Sequence, residues 1–212
     1  MKKIDKGGIM NTTENIFTNI DFLETESAVS LNATGTRLAK AGEMLEAENN
    51  FLKAIDLNPD YSQSYHNLGI LQATQQRTQE AIVNLEKLIE LEPNIAEHYC
   101  NLGLVYYLEG TFHESELFFS KALEIDSDHP DSQFNLGKLL FNLERIDEAI
   151  PFIESFLNMK VSNTEAMFIL GMCFQKKNNK ENAQIYFEKT LDIDPGHLEA
   201  RNMLKELNGS NS

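Results

Sequence analysis

The Leu-Gly pair recurs at Leu68-Gly69, Leu102-Gly103, Leu136-Gly137 and Leu170-Gly171, each 34 residues after the last, and Thr34-Gly35 stands one period earlier. Twelve residues after each Gly comes a small side chain: Ala47, Ala81, Ser115, Ala149 and Ala183. Sixteen residues after it comes a large one: Phe51, Leu85, Phe119, Ile153 and Phe187. Pro59, Pro93 and Pro195 close three of the units, and no shift of register is needed anywhere. A fixed period in this range is the signature of a stacked repeat array, because one such unit cannot bury its apolar face alone.

Each period reads as two amphipathic helices of roughly 14 residues joined by a short polar turn. In the first unit the expected spans are 28–41 and 45–57. The small residues at the eighth and twentieth places remove bulk where the two helices cross, allowing backbones closer than the usual 8–10 Å. Large residues such as Leu68, Tyr99, Tyr106, Phe119 and Phe187 fill the space around that crossing. Pro at the thirty-second place cannot continue a helix and turns the chain. Capping boxes are expected at Thr111…Glu114 and Ser162…Glu165. Composition agrees with helix: the chain is 42% hydrophobic, with no Trp and five Pro.

The run Tyr99-Cys100-Asn101-Leu102-Gly103-Leu104-Val105-Tyr106-Tyr107, followed by Gly110, Phe119 and Ala122, resembles the tetratricopeptide repeat signature. The resemblance covers roughly residues 28–197 and implies an all-α, right-handed α-solenoid of five helix-turn-helix repeats. The expected repeats are 28–61, 62–95, 96–129, 130–163 and 164–197, with a capping helix at 198–208 carrying Leu198, Met203, Leu204 and Leu207. Residues 1–27 form an N-terminal tail whose segment 14–24 spaces Ile16, Ile20 and Leu23 for one helical face, and 209–212 form a flexible tail. The second repeat departs from the pattern with Gln72 and Leu88, and the third ends in Ser127 with Pro130 three residues on. The fourth is the least regular, with Ile153, Phe156 and Val161 at marker places and Pro151 early in its second helix, where a first-turn proline costs little.

In this family the first helix of each repeat lines the concave side, so places 2, 5, 9, 12 and 13 are expected to face a groove. Repeats one and two offer small or polar residues there. The later repeats offer a partner-binding run of Cys100, Leu104, Tyr107, Phe134, Lys138, Phe141, Phe168 and Met172. The resemblance implies a non-catalytic protein–protein interaction adaptor or scaffold that takes a partner peptide or helix. Alternatives are a dedicated chaperone for a secreted or membrane-inserted client, and a self-assembling scaffold. A carboxylate clamp, as found in some chaperone-associated members, is disfavoured. Asn67, Asn101 and Asn135 occupy its Asn place, but the required basic pair is missing at Glu97/Asn101, Asp131/Asn135 and Glu165/Ile169. The acidic triplet Glu97, Asp131 and Glu165 reads mainly as helix N-terminal charge.

No enzyme is expected. His66, His98, His113, His129 and His197 are scattered without metal-binding spacing, and His98 and His129 should face solvent near turns. Cys100 and Cys173 lack metal-like spacing, and a packing role is expected for both. Neither metal nor cofactor is therefore called for. A net charge of −15 and a pI near 4.7 repel nucleic-acid phosphates and anionic lipid. The start Met1-Lys2-Lys3-Ile4-Asp5-Lys6-Gly7-Gly8 has no apolar run after its basic residues, and no stretch is long enough to span a membrane. The expected location is cytoplasmic.

Overall fold

The computed structural model describes residues 27–159 and 162–209. The expected 14–24 helix, Val161 and residues 210–212 lie outside them. Eleven α-helices and no strands occur among the described residues: α1 (Ala28–Ala41), α2 (Met44–Leu57), α3 (Ser62–Thr74), α4 (Thr78–Leu91), α5 (Ala96–Glu109), α6 (Phe112–Ile125), α7 (Pro130–Asn142), α8 (Ile146–Met159), α9 (Thr164–Lys176), α10 (Lys180–Ile193) and α11 (Leu198–Gly209). The odd-numbered helices begin every 34 residues from Ala28 to Leu198, and the even-numbered ones every 34 from Met44 to Lys180. This is an all-α fold of the α-solenoid class.

Among the described residues the chain divides into two compact units, one up to Ser64 and one from Tyr65 on. In the first, α1 opens on a capping box: the Ser27 hydroxyl accepts the Ser30 N–H at 3.1 Å, and the Ser30 hydroxyl accepts the Ser27 N–H at 2.9 Å. Ala47, Phe51 and Ala54 of α2 are fully buried against α1. Gly35 is what lets them in, since a Cβ there would lie 2.6 Å from the Phe51 ring.

The second unit repeats that crossing. A Cβ on Gly69 would meet Leu85 at 2.9 Å, and on Gly103 it would meet Phe119 at 2.7 Å. On Gly137 it would meet Ile153 at 2.6 Å, and on Gly171 Phe187 at 2.7 Å. The large residue sixteen places after each Gly thus packs directly onto that bare backbone, and Phe119, Ile153 and Phe187 are fully buried. One apolar cluster runs through α5 to α9, and a second joins Ala183 and Phe187 of α10 to Ala200 and Leu207 of α11. Leu198, expected on the packed side of that last helix, is exposed.

Three local expectations are corrected. Thr111 precedes α6 but makes no capping bond; its hydroxyl donates instead to the Tyr106 carbonyl at 3.1 Å. At α9 the cap is Asn163, one residue after Ser162, with Oδ1 accepting the Ala166 N–H at 2.7 Å. Pro151 is the sixth residue of α8, beyond the first turn, so it deprives the Asp147 carbonyl of its helical donor.

Candidate functional site

Residues of α5, α7 and α9, all in the second unit, carry the candidate site. Leu104 is 40% exposed, and Leu108, one turn further along α5, is 58% exposed. Between them in sequence, Tyr107 is half-buried, tilted against Phe112, and its hydroxyl accepts a bond from Asn142 Nδ2 at 2.7 Å. That bond ties α5 to α7. A small pocket of about 40 Å³ opens here, lined by Leu104, Tyr107, Asn135 and Lys138, with the buried Phe119 ring beneath. It has room for a methyl-sized group and offers both apolar and amide surface.

Lys138 is held from two sides. Its ammonium donates to Glu165 at 2.5 Å and sits 5.8 Å from the centre of the Phe134 ring. Phe134 itself stacks on the buried Phe156 with centroids 4.9 Å apart. Phe141 is half-buried beneath the Lys176 ammonium, which also donates to Glu144 at 2.8 Å. Phe168 lies between Phe187 at 5.7 Å and His197 at 4.6 Å, and Met172 packs against the same α10–α11 cluster. The aromatic members of this face are therefore anchored in the core and show only part of each ring. Its exposed apolar surface is mostly Leu104 and Leu108.

Cys100 is the correction among the expected groove residues. It is 4% exposed and belongs to the α5–α9 core, although it sits one turn from Leu104 on the same helix. Asn135 of α7 covers it, with Nδ2 3.8 Å from the sulfur. Burial pushes the Cys100 thiol up to about 11, and the buried Cys173 thiol up to about 12, so neither is a nucleophile near neutral pH. Sequence reasoning counted Asn135 only as a possible clamp residue; its place in the pocket wall is set by how α7 lies on α5.

Two histidines, His98 and His129, also differ from expectation. His98 is 8% exposed, with Nε2 2.9 Å from Glu92 and Nδ1 without a hydrogen-bond partner. Its ring lies 6.2 Å from that of His66, whose pKa is lowered first by burial and then by His98. His129 is largely covered, with Nε2 3.1 Å from Glu97 and Nδ1 facing the Ser132 N–H. Of the acidic triplet, Glu97 is thus engaged by His129 and Glu165 by Lys138. Among the described residues no three His, Cys, Asp or Glu side chains converge to hold a metal ion, and no helix is long and apolar enough to cross a membrane.

Comparison with known proteins agrees with this architecture. Residues 50–83 and 164–197 each match a family profile described as tetratricopeptide repeat. Residues 74–156 match the profile described as anaphase-promoting complex, cyclosome, subunit 3. No curated protein sequence matches significantly. Among solved structures, the tetratricopeptide-repeat protein YrrB superposes with a TM-score of 0.70 at 21% identity, over 91% of this chain and 97% of YrrB. MamA gives 0.70 at 21% identity, over 78% of this chain and 96% of its own. A thermophilic tetratricopeptide-repeat protein of Thermus thermophilus gives 0.61 at 17% identity, over 85% and 98%. With three profile matches spread along the array, the helix pairs in phase and glycine at every crossing, the chain belongs to the tetratricopeptide-repeat family.

Proposed function

We propose that this chain is a non-catalytic adaptor that holds a segment of a partner protein against the α5–α7–α9 face. The observation that carries the reading is the exposure of Leu104 and Leu108 beside the Leu104–Tyr107–Asn135–Lys138 pocket. Two leucines on one helical face, next to a recess with an amide in its wall, suit a partner side chain that inserts while its neighbours lie across α5. YrrB, similar in fold, is described as having an unusual peptide-binding site, which fits the same use of the scaffold. Phe134 and Phe141 support the face from below, so replacing them tests folding as much as binding.

The test is quantitative affinity enrichment with the full chain and a Leu104→Asn/Leu108→Asn variant. Both leucines are exposed, so the variant should melt within a few degrees of the parent, in line with surface substitutions of small effect. The expected outcome is that proteins enriched by the parent are lost from the variant. Retention of all of them by a folded variant would remove the α5 face from consideration.

A further inference from the structure

The even-numbered helices of the second unit carry a feature that folding does not require. Val83 of α4, Leu117 of α6, Pro151 of α8 and Ile185 of α10 stand 34 residues apart in sequence, at one shared helical place. All four are exposed, Val83 to 65%, Leu117 to 45% and Ile185 to 39%. The residues two before and two after each one are fully buried, as with Ser115 and Phe119 around Leu117, so this place looks away from the core. The corresponding residue of the first unit is Asn49, also exposed, which shows that a polar side chain serves the fold there equally well. Scattered single apolar residues on a surface are ordinary; four in one row are not.

The margin of the row is acidic. Glu86, Glu124, Glu154 and Asp192 lie three or seven residues beyond the apolar places on the same helices. The lysines nearby are turned onto their own surroundings: Lys87 donates to Glu90 at 2.9 Å, Lys121 sits 5.0 Å from the Phe118 ring, and Lys189 sits 4.8 Å from the Tyr186 ring. An apolar row bordered by carboxylates complements an apolar row bordered by Lys or Arg. Apart from the helix ends and the Asp147 carbonyl freed by Pro151, the main-chain groups of these helices are used within them, so an extended segment laid across would find few backbone partners. A helix satisfies its own.

We propose that this row is a second docking surface, separate from the α5 face, and that its occupant is a basic amphipathic helix of a partner protein that lays its apolar face across the row. The probe is a labelled helical peptide of about 22 residues, with Leu along one face and Lys or Arg beside it, titrated with the full chain by fluorescence anisotropy. The expected result is saturable binding that weakens at least tenfold in a Val83→Asn/Leu117→Asn/Ile185→Asn variant of unchanged melting temperature. The Leu104→Asn/Leu108→Asn variant should bind the probe within twofold of the parent, which keeps this outcome distinct from that of the groove experiment. The proposal is overturned by no saturable binding below about 1 mM, by equal binding to the triple variant, or by equal binding of a peptide with Gln in place of Leu. It is also overturned if light scattering shows a concentration-dependent dimer of the parent that the triple variant loses, since the row would then be covered by a second copy.

Discussion

A single methyl group tests the helix crossing. Alanine normally gains up to about 1 kcal/mol over glycine inside a helix, yet the Cβ of Gly103→Ala would lie 2.7 Å from the Phe119 ring. Overpacking should win, and we expect a net loss of about 1–3 kcal/mol in denaturant unfolding. Adding Phe119→Leu makes room, so the double variant should lose less than the sum of the singles; strict additivity would place the strain elsewhere. The thiols give a second test at this scale. With Cys100 near 11 and Cys173 near 12, both should resist iodoacetamide at pH 8 in the native chain and react readily in urea. His66 supplies a third. Burial and then His98 lower its pKa from 6.5, while Glu97 and Glu92 oppose the shift. The unfolded imidazole therefore binds its proton at higher pH than the folded one, so this contribution to stability is intact above 6.5 and lost as pH falls below it. His66→Gln should flatten the melting temperature against pH between about 7 and 5; an unchanged slope would assign the acid sensitivity to other groups.

Between the two helices of every pair the chain passes through one left-handed residue. Gly42 and Gly110 have φ near 85° and 87°, but Gln76, Glu144 and Asn178 adopt 61°, 60° and 57° with side chains attached. For a non-glycine residue that conformation costs about 1 kcal/mol or more, and Asn bears it best. Gln76→Gly and Glu144→Gly should each raise stability by about 0.5–1 kcal/mol, offset partly by the freer unfolded chain, and Asn178→Gly by less. Loss of the exposed Glu144–Lys176 pair weighs little against this. The helix starts make a matching contrast. Asn163→Ala removes a real cap and should cost about 1 kcal/mol, whereas Thr111→Val removes none and should stay within about 0.5 kcal/mol. Equal losses at the two sites would contradict the assigned caps.

In a repeat array each pair leans only on its neighbours, so the terminal element decides how the stack ends. Here α11 closes the second unit by covering Ala183 and Phe187 with Ala200 and Leu207, while Arg201, Asn202, Lys205 and Glu206 face water. Truncation after Pro195 should lower the melting temperature by about 5 °C or more and raise dye binding to exposed apolar surface. A truncated chain as stable as the parent would mean that α11 is dispensable. In the first unit, Ser30 and Arg37 are exposed. In later repeats the corresponding places of α5, α7 and α9 hold buried residues such as His98 and Val105, Ser132 and Leu139, and Ala166 and Cys173. The first pair thus presents a polar side where the later ones present packing surface.

The 34-residue period determined the all-helical class and the starting phase of the helices, because a small residue repeated at one place and a large one sixteen later admit a single way of crossing two helices. Residue identity also kept the carboxylate clamp out of consideration, since its basic pair is missing from the chain itself. Which side chains meet water was decided only by tertiary packing. Cys100 and Leu104 stand four residues apart on one face of α5, yet Asn135 and the core close over the first and leave the second open. His98, read as a turn residue facing solvent, is enclosed between neighbouring repeats for the same reason. Period fixes the direction in which a side chain leaves its own helix, and the spacing and tilt of the next helix fix what it finds there.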